Sequence, residues 1–393
     1  MDFYALIELG VEVHVLRILT PQTEAGAHRF EHEHRDDTAR ARAAATSWTD
    51  ILFSPGRSRT GIRRAAHQVL DPTLSMFPGL HALLPDVEAW MLAHPVDLIW
   101  VENRPAGQLV GLLQPQIPVV ATVHDWSYRL MRVRSSELAP GCRLHSRLSG
   151  WATRRSEEDV VRGASVVTTG SSSIARDCER LGSPAVFLIP QVQEDPGLDM
   201  SVAGPVAVPR IVHLGAIETT ANRLGIEAYL ARVHPHVLAG LAEGERPSLW
   251  VVGDMSRAKP SMLRALDEAD AMCPGFVDDL GSVLRPFDLS IIPYEFDTGF
   301  RTKIPLLFSY GQVVVTTRAA SAGTPGLVHG ENCIVLESLD GFPDAIVELV
   351  RSPEPRVQLG RGARATFEKD FLLAQQLDRY RAVLDAALPG RYP

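Results

Sequence analysis

Short apolar, β-branched runs alternate with helix-length stretches along most of this chain, and that alternation restricts it to parallel sheets flanked by helices. Asp97–Val101 (DLIWV), Pro118–Val123 (PVVATV), Ser165–Thr169 (SVVTT) and Ala185–Ile189 (AVFLI) form a first set, each bounded by turn or charged residues. Residues 191–209 break the rhythm with Pro196, Gly197, Gly204, Pro205 and Pro209, and read as a linker. The pattern resumes in Ile211–Leu214, Leu249–Val252, Leu289–Ile292, Val313–Val315 and Ile334–Leu336. At 393 residues the chain exceeds the size at which one core stops growing, so the two sets are expected to form two α/β domains. Ligands in such sheets sit beyond the carboxyl ends of the strands, which directs attention to the residues leaving each run.

Composition removes several function classes. No apolar run reaches 18 residues and the N-terminus lacks a basic, apolar, small-residue leader, so the expected location is the cytoplasm. A formal charge of −8 argues against nucleic acid as a partner. The four cysteines stand far apart without CxxC spacing, which predicts buried free thiols rather than a zinc site or a disulfide framework. His28, His32 and His34 lie close together, but Glu31, Glu33, Arg35, Asp36 and Asp37 around them describe a solvated segment, and no metal site is expected. Residues 57–70 place Arg59, Arg63 and Arg64 near an apolar stripe. That stripe is expected to pack on its own domain, with peripheral contact to the inner membrane face as the alternative.

The chemistry concentrates in Asp288–Thr317. There an apolar run ends at Pro293, a polar loop follows, Ile304–Tyr310 read as a short helix closed by Gly311, and a second apolar run begins at Val313. Pro305 suits a first helical turn, since it supplies the right φ and its missing N–H had no intrahelical partner. Gly299, Arg301, Thr302 and Lys303 feed that turn, so backbone N–H groups and two cations converge on one small volume suited to an anion. Only three of the 39 basic residues are lysines, which singles out Lys303 from the surface arginines. Each charge-assisted contact there is worth about 1.5–3 kcal/mol. Alanine at 303 is therefore expected to weaken diphosphate binding while leaving thermal stability nearly unchanged.

This stretch resembles the donor segment of family 4 retaining glycosyltransferases, enzymes of the GT-B fold that use nucleotide sugars. The family's TG-x-R-x-K-(I/V) pattern followed by a helix, a glycine and a strand reads here as Thr298, Gly299, Arg301, Lys303, Ile304, Gly311, Val313, Val314 and Thr316. Gly323–Ser338 (GTPGLVHGENCIVLES) is similar to the family's following glycine-rich passage. The resemblance implies two Rossmann-like domains whose parallel sheets face across a cleft: residues 1–190 for the acceptor, the linker 191–209, residues 210–372 for the nucleotide sugar, and a closing helix in 373–393 that crosses back. Where the family carries two glutamates eight apart, this chain has Thr298 and Leu306, neither of which can act as a carboxylate. Glu295 and Asp297 are the nearest acidic residues in the loop.

Further positions carry over one at a time. Ile211–Val237 is similar to the segment whose helix turn meets the donor diphosphate, which implicates Gly215, Asn222 and Arg223. Asp254 follows the strand ending in VVGD, and the backbone at Val277 lies where the family holds the nucleobase. His124 and Asp125 leave Pro118–Val123 as the family's HD pair, with the histidine beside the reacting carbon; without the resemblance they would read as a loop hydrogen bond. Asp2–Leu9 read as a helix ended by Gly10 and Val11–Leu19 as a strand, matching the family passage that follows an opening strand and a glycine-rich loop. A sheet deprived of that central strand exposes unpaired backbone, so the expectation is a start placed too late.

The expected activity is transfer of a sugar from a UDP- or GDP-linked donor to a glycan, lipid-linked or small-molecule acceptor, with retention of configuration, no metal and no cofactor. The alternatives are a nucleotide-binding homologue that has lost transfer and acts as a partner or regulator, and a GT-B nucleotide-sugar epimerase.

Overall fold

In the computed structural model, residues 2–19, 35–52, 80–102, 104–113, 116–136, 140–297 and 299–391 are described. The histidine cluster at 28–34, the 57–70 segment and Thr298 lie outside them. The chain divides into two compact units, residues 1–169, 174–189 and 376–393 in one and residues 170–173 and 190–375 in the other.

The first unit contains α1 (Asp2–Glu8), β1 (His14–Leu19), α2 (Arg35–Ala44), β2 (Ser47–Leu52), α3 (Leu84–Ala93), β3 (Ile99–Val101), α4 (Arg104–Leu113), β4 (Val119–Thr122), α5 (Ser127–Ser136), α6 (Pro140–Gly163) and β5 (Val166–Thr169). The chain then runs through α7 (Ser172–Arg180) into β6 (Val186–Leu188). β3 to β6 make one parallel sheet in chain order, while β1 and β2 pair separately. Strand β2 was not anticipated, because its Ser47-Trp-Thr-Asp sequence sits inside an arginine-rich polar stretch. A groove of about 790 Å³ is lined by residues 13–16 and by residues 95–98 and 100–102. Since successive strand side chains point to opposite faces, residues 14, 15 and 16 lining it in turn are presented along the edge of β1.

The second unit is a six-stranded parallel sheet in the order β12-β11-β10-β7-β8-β9. Its elements are β7 (Ile211–Leu214), α8 (Thr220–Arg232), α9 (His234–Ala239), β8 (Leu249–Val252), α10 (Pro260–Glu268), β9 (Met272–Gly275), β10 (Leu289–Ile292), α11 (Lys303–Ser309), β11 (Val313–Thr317), α12 (Arg318–Ser321), β12 (Cys333–Leu336), α13 (Phe342–Arg351) and α14 (Pro353–Asp370). α15 (Leu377–Ala387) returns to the first unit. Alternate strand residues enter two cores. Ile211, Val251, Ile291 and Val315 pack with α8, α9 and α13, while Val212, Val252, Ile292 and Val314 pack with α11 and α14. Burial on both faces explains why these strands read as unbroken apolar runs. β9, which contains Pro274, lies at the edge, where a missing N–H is tolerated.

At the opposite end from the strand tips, the wholly buried Asp288 carboxylate accepts from the Arg210 backbone N–H at 2.9 Å and from Arg285 Nε at 3.0 Å. It thereby fixes the segment that leads into β7 to the start of β10. The cysteines correct the composition reading: Cys178 and Cys333 are buried, but Cys142 and Cys273 are exposed. No helix among the described residues is long and apolar enough to cross a membrane.

Candidate active site

The chain order of the second sheet reverses beside β7: β8 and β9 lie on one side of it, β10, β11 and β12 on the other. Neighbouring strands whose connections depart in opposite directions leave a crevice beyond their carboxyl ends, the place where open α/β sheets bind ligands. Both loops at this point carry residues singled out from sequence. Gly215 leaves β7 at φ +131°, and Asn222 lies in the first turn of the thirteen-residue α8. Residues 293–302 leave β10 and lead into α11.

Lys303 ties the two loops together. Its ammonium donates to the Leu214 carbonyl at 2.6 Å and to Asn222 Oδ1 at 2.6 Å. Asn222 in turn donates from Nδ2 to the Ala216 carbonyl at 2.9 Å, which fixes which of its side-chain atoms faces the lysine. Burial, reinforced by the neighbouring Arg301 charge, pushes the Lys303 pKa down to about 7. The protein thus holds a cation poised to lose its proton near neutrality, because nothing anionic balances it among these contacts. An arriving phosphate would supply that balance.

Arg301, the other cation expected at the diphosphate, is held within the loop. It is buried, donates from Nε to the Ala320 carbonyl at 3.1 Å and from Nη2 to the Phe296 carbonyl at 3.2 Å, and lies 5.0 Å over the Tyr294 ring. These bonds make it an internal clamp on the loop rather than a side chain extended toward solvent. Gly299 sits at φ +140° with its N–H donated to Asp297 Oδ1 at 2.9 Å, so Asp297 shapes the loop. Thr302 is exposed at the start of α11, which begins at Lys303, one residue earlier than expected, and runs for only seven residues.

Glu295 is committed elsewhere. Its Oε1 accepts the Leu339 N–H at 3.0 Å and its Oε2 accepts from Arg232 Nη1 at 2.9 Å, which pins the loop to the start of the segment after β12. In this arrangement both carboxylate oxygens of the residue expected to replace an absent family glutamate have partners within the protein. Glu295→Gln keeps most of this arrangement and removes a half-exposed ion pair, worth about 1 kcal/mol or less. UDP affinity is therefore expected to stay within about twofold in calorimetry, whereas a tenfold loss would return Glu295 to the ligand's contacts.

The other sequence candidates fall around this centre. Arg223 donates to Glu227 Oε2 at 3.0 Å along α8. Asp254 caps the turn after β8 by accepting the Ser256 N–H at 2.8 Å. Val277 packs, partly buried, against the core that contains Tyr294, and Leu306 is partly buried on α11. Among the described residues no group of three or more His, Cys, Asp or Glu is placed to hold a metal.

In the first unit, His124 and Asp125 leave the carboxyl end of β4 and are both exposed. His124 Nε2 lies 3.4 Å from Glu102 Oε2, an ion-pair partner that the sequence reading missed. The signal was present: Glu102 follows β3 as His124 follows β4, and β3 and β4 are adjacent and parallel. The hydrogen bond to Glu102 raises the pKa of His124, and burial raises that of Glu102.

Comparison with known proteins agrees with this architecture. Residues 3–190 match the glycosyl transferase 4-like domain and residues 208–352 match glycosyl transferases group 1. A glycosyltransferase from Rickettsia africae superposes with a TM-score of 0.59 at 12% identity, covering 96% of this chain and 99% of that one. Anabaena HepE, solved in complex with UDP, gives 0.58 at 13% identity over 98% and 96% of the two chains. Sucrose-phosphate synthase from Thermosynechococcus elongatus gives 0.58 at 15% identity over 86% and 90%. No protein of curated function matches the chain in sequence.

Proposed function

We propose that this chain, a glycosyltransferase of the GT-B fold, moves a glycosyl group from a nucleoside-diphosphate sugar to an acceptor hydroxyl with retention of configuration and without a metal. The observation that carries the reading is the Lys303 ammonium seated at the sheet's switch point between the Leu214 carbonyl and Asn222. A diphosphate there gains a charge-assisted contact from Lys303 and the partial positive charge of the first turn of α8. The neighbour solved with UDP, and a second Anabaena HepE structure solved with UDP-glucose, support UDP as the first nucleotide to test.

In the proposed reaction the anomeric carbon loses its bond to the diphosphate oxygen and gains one to the acceptor oxygen on the same face. The acceptor's proton passes to the departing phosphate. Lys303 stabilises the negative charge as it grows on that oxygen, the role a preorganised cation fills best. His124 is assigned to the sugar or acceptor side, and the acceptor is a glycan, a lipid-linked sugar or a small molecule. We place the reaction in the cytoplasm, where nucleotide sugars are the substrate and no cofactor is needed.

Titration calorimetry with UDP, GDP, ADP and TDP tests the reading. Micromolar to sub-millimolar binding of one of them supports it, and no binding below the millimolar range by any of them overturns it. The engagement of Glu295 with Leu339 and Arg232, beside an apolar Leu306, favours one second reading, a homologue that binds donor without turning it over. Binding without donor hydrolysis or transfer across a broad acceptor panel would establish that second reading.

The Lys303 pKa of about 7 also sets a pH dependence. Below it the ammonium is charged and Lys303 adds no pH dependence of its own. Above it the site must take up a proton to bind, so affinity falls with rising pH, by at most about tenfold per unit. Calorimetry from pH 7 to 9, where the nucleotide's own phosphates have finished ionising, should show this slope in the parent and none in Lys303→Ala.

A further inference from the structure

Two parallel strands of the first unit end side by side, and the residues that leave them meet. Val101 of β3 is registered with Ala121 of β4, so Glu102 and His124 emerge on one rim, with Nε2 of the ring 3.4 Å from Oε2 of the carboxylate. The rim has a second layer. Asp2, at the start of α1, accepts from Thr122 Oγ1 at 2.9 Å and from the Tyr380 hydroxyl of α15 at 2.6 Å. Thr122 also accepts the Trp100 indole N–H at 2.9 Å, so β3, β4, α1 and α15 all contribute to one polar network. The groups facing His124 are therefore Glu102 from β3, Asp2 from α1 and its own neighbour Asp125, all acidic.

We propose that Glu102 is a positioning residue for His124, holding the ring through Nε2 as a charged hydrogen-bond donor whose Nδ1–H is presented to the ligand. The proposal rests on the reading of His124 as part of the transfer site and gives it a specific role. A histidine fixed in this way cannot serve as the general base that removes the acceptor's proton, because its lone pair is already protonated. It instead donates to a sugar hydroxyl, an acceptor that an imidazolium N–H suits. The direction of both pKa shifts agrees with the geometry: burial, with Asp2 nearby, raises Glu102, and Glu102 raises His124.

The test uses the full chain labelled at its histidines and followed by NMR as a function of pH, with the His124 signal assigned by its loss in His124→Asn. The expected result is a His124 midpoint above the ordinary value of about 6.5. In Glu102→Gln that midpoint falls by about one unit, and Glu102→Asp restores part of it. A His124 midpoint at or below the ordinary value in the parent, or one unmoved in both variants, overturns the proposal. UDP affinity should be the same in parent and Glu102→Gln, which separates this rim from Lys303. In a transfer or donor-hydrolysis assay the alkaline limb of kcat should move to lower pH in Glu102→Gln while KM holds. A shifted NMR midpoint in a protein that never turns over donor would leave the Glu102–His124 assignment standing and remove the transferase reading. Turnover with an unmoved midpoint would do the reverse.

Discussion

Lys303→Ala is expected to weaken UDP binding by about ten- to hundredfold, the equivalent of one contact between a charged group and a phosphate. Calorimetry at pH 7 reads this directly, and unaltered affinity would place the ammonium outside the ligand's reach. The structure changes the expected stability cost. Because the ammonium holds the Leu214 carbonyl and Asn222 Oδ1, its loss leaves two acceptors that only water can satisfy. Against that stands relief of a partly buried charge. The balance is about 1 kcal/mol of destabilisation at about pH 10 to 11, where the lysine is mostly neutral whether folded or unfolded and its burial penalty has gone. For a unit of this size that lowers the melting temperature by about 2–4 °C. The sign follows from linkage: Lys303 titrates near 7 when folded and near 10.4 when unfolded, so the unfolded chain binds the extra proton across that window. Stability from this residue therefore rises with pH from about 7 to about 10 in the parent. The dependence vanishes in the variant.

The strands of the second unit were legible because they are buried on both faces and so read as continuous apolar runs, Val313–Thr317 most plainly, with all five residues buried. Two edge strands gave no such signal. Met272–Gly275 is exposed at three of its four positions and contains a proline, and Ser47–Leu52 is hidden in polar sequence. Lys303 and Asn222 were both singled out in the sequence, since each occupies the opening of a helix beyond a strand. Their hydrogen bond, which joins residues 81 apart in sequence, was not. Arg301 shows what local reading lacks. A guanidinium beside a glycine loop reads as an anion ligand, and the carbonyls of Phe296 and Ala320 that surround it come from outside its own stretch or across its loop. The partners of Glu295, Arg232 and Leu339, were equally out of reach of local reading. Glu102 could have been found by asking which residues follow strands other than the one bearing His124.

Gly253→Ala is expected to have a large effect on both stability and binding, because it strikes the frame on which Lys303 rests. Gly253 leaves β8 at φ +146°, and a Cβ built there would lie 2.5 Å from the Gly215 carbonyl carbon, 2.7 Å from its oxygen and 2.8 Å from the Ala216 nitrogen. All three are backbone atoms, so no rotamer change can make room. Either the loop after β7 moves or β8 twists away, and both separate Leu214 from its lysine. Backbone strain of about 1–3 kcal/mol adds to an overpacking cost of similar size. Together these give about 3 kcal/mol or more, or a fall of about 6–12 °C in the melting temperature of a unit of this size. UDP affinity should fall at least as far as in Lys303→Ala, since the displaced carbonyl releases the ammonium from its seat. Gly244→Ala is the control: no heavy atom lies within 4 Å of its added Cβ, and both measurements should match the parent. A Gly253→Ala protein that melts and binds UDP like the parent would show that the close approach of these two loops does not position the site.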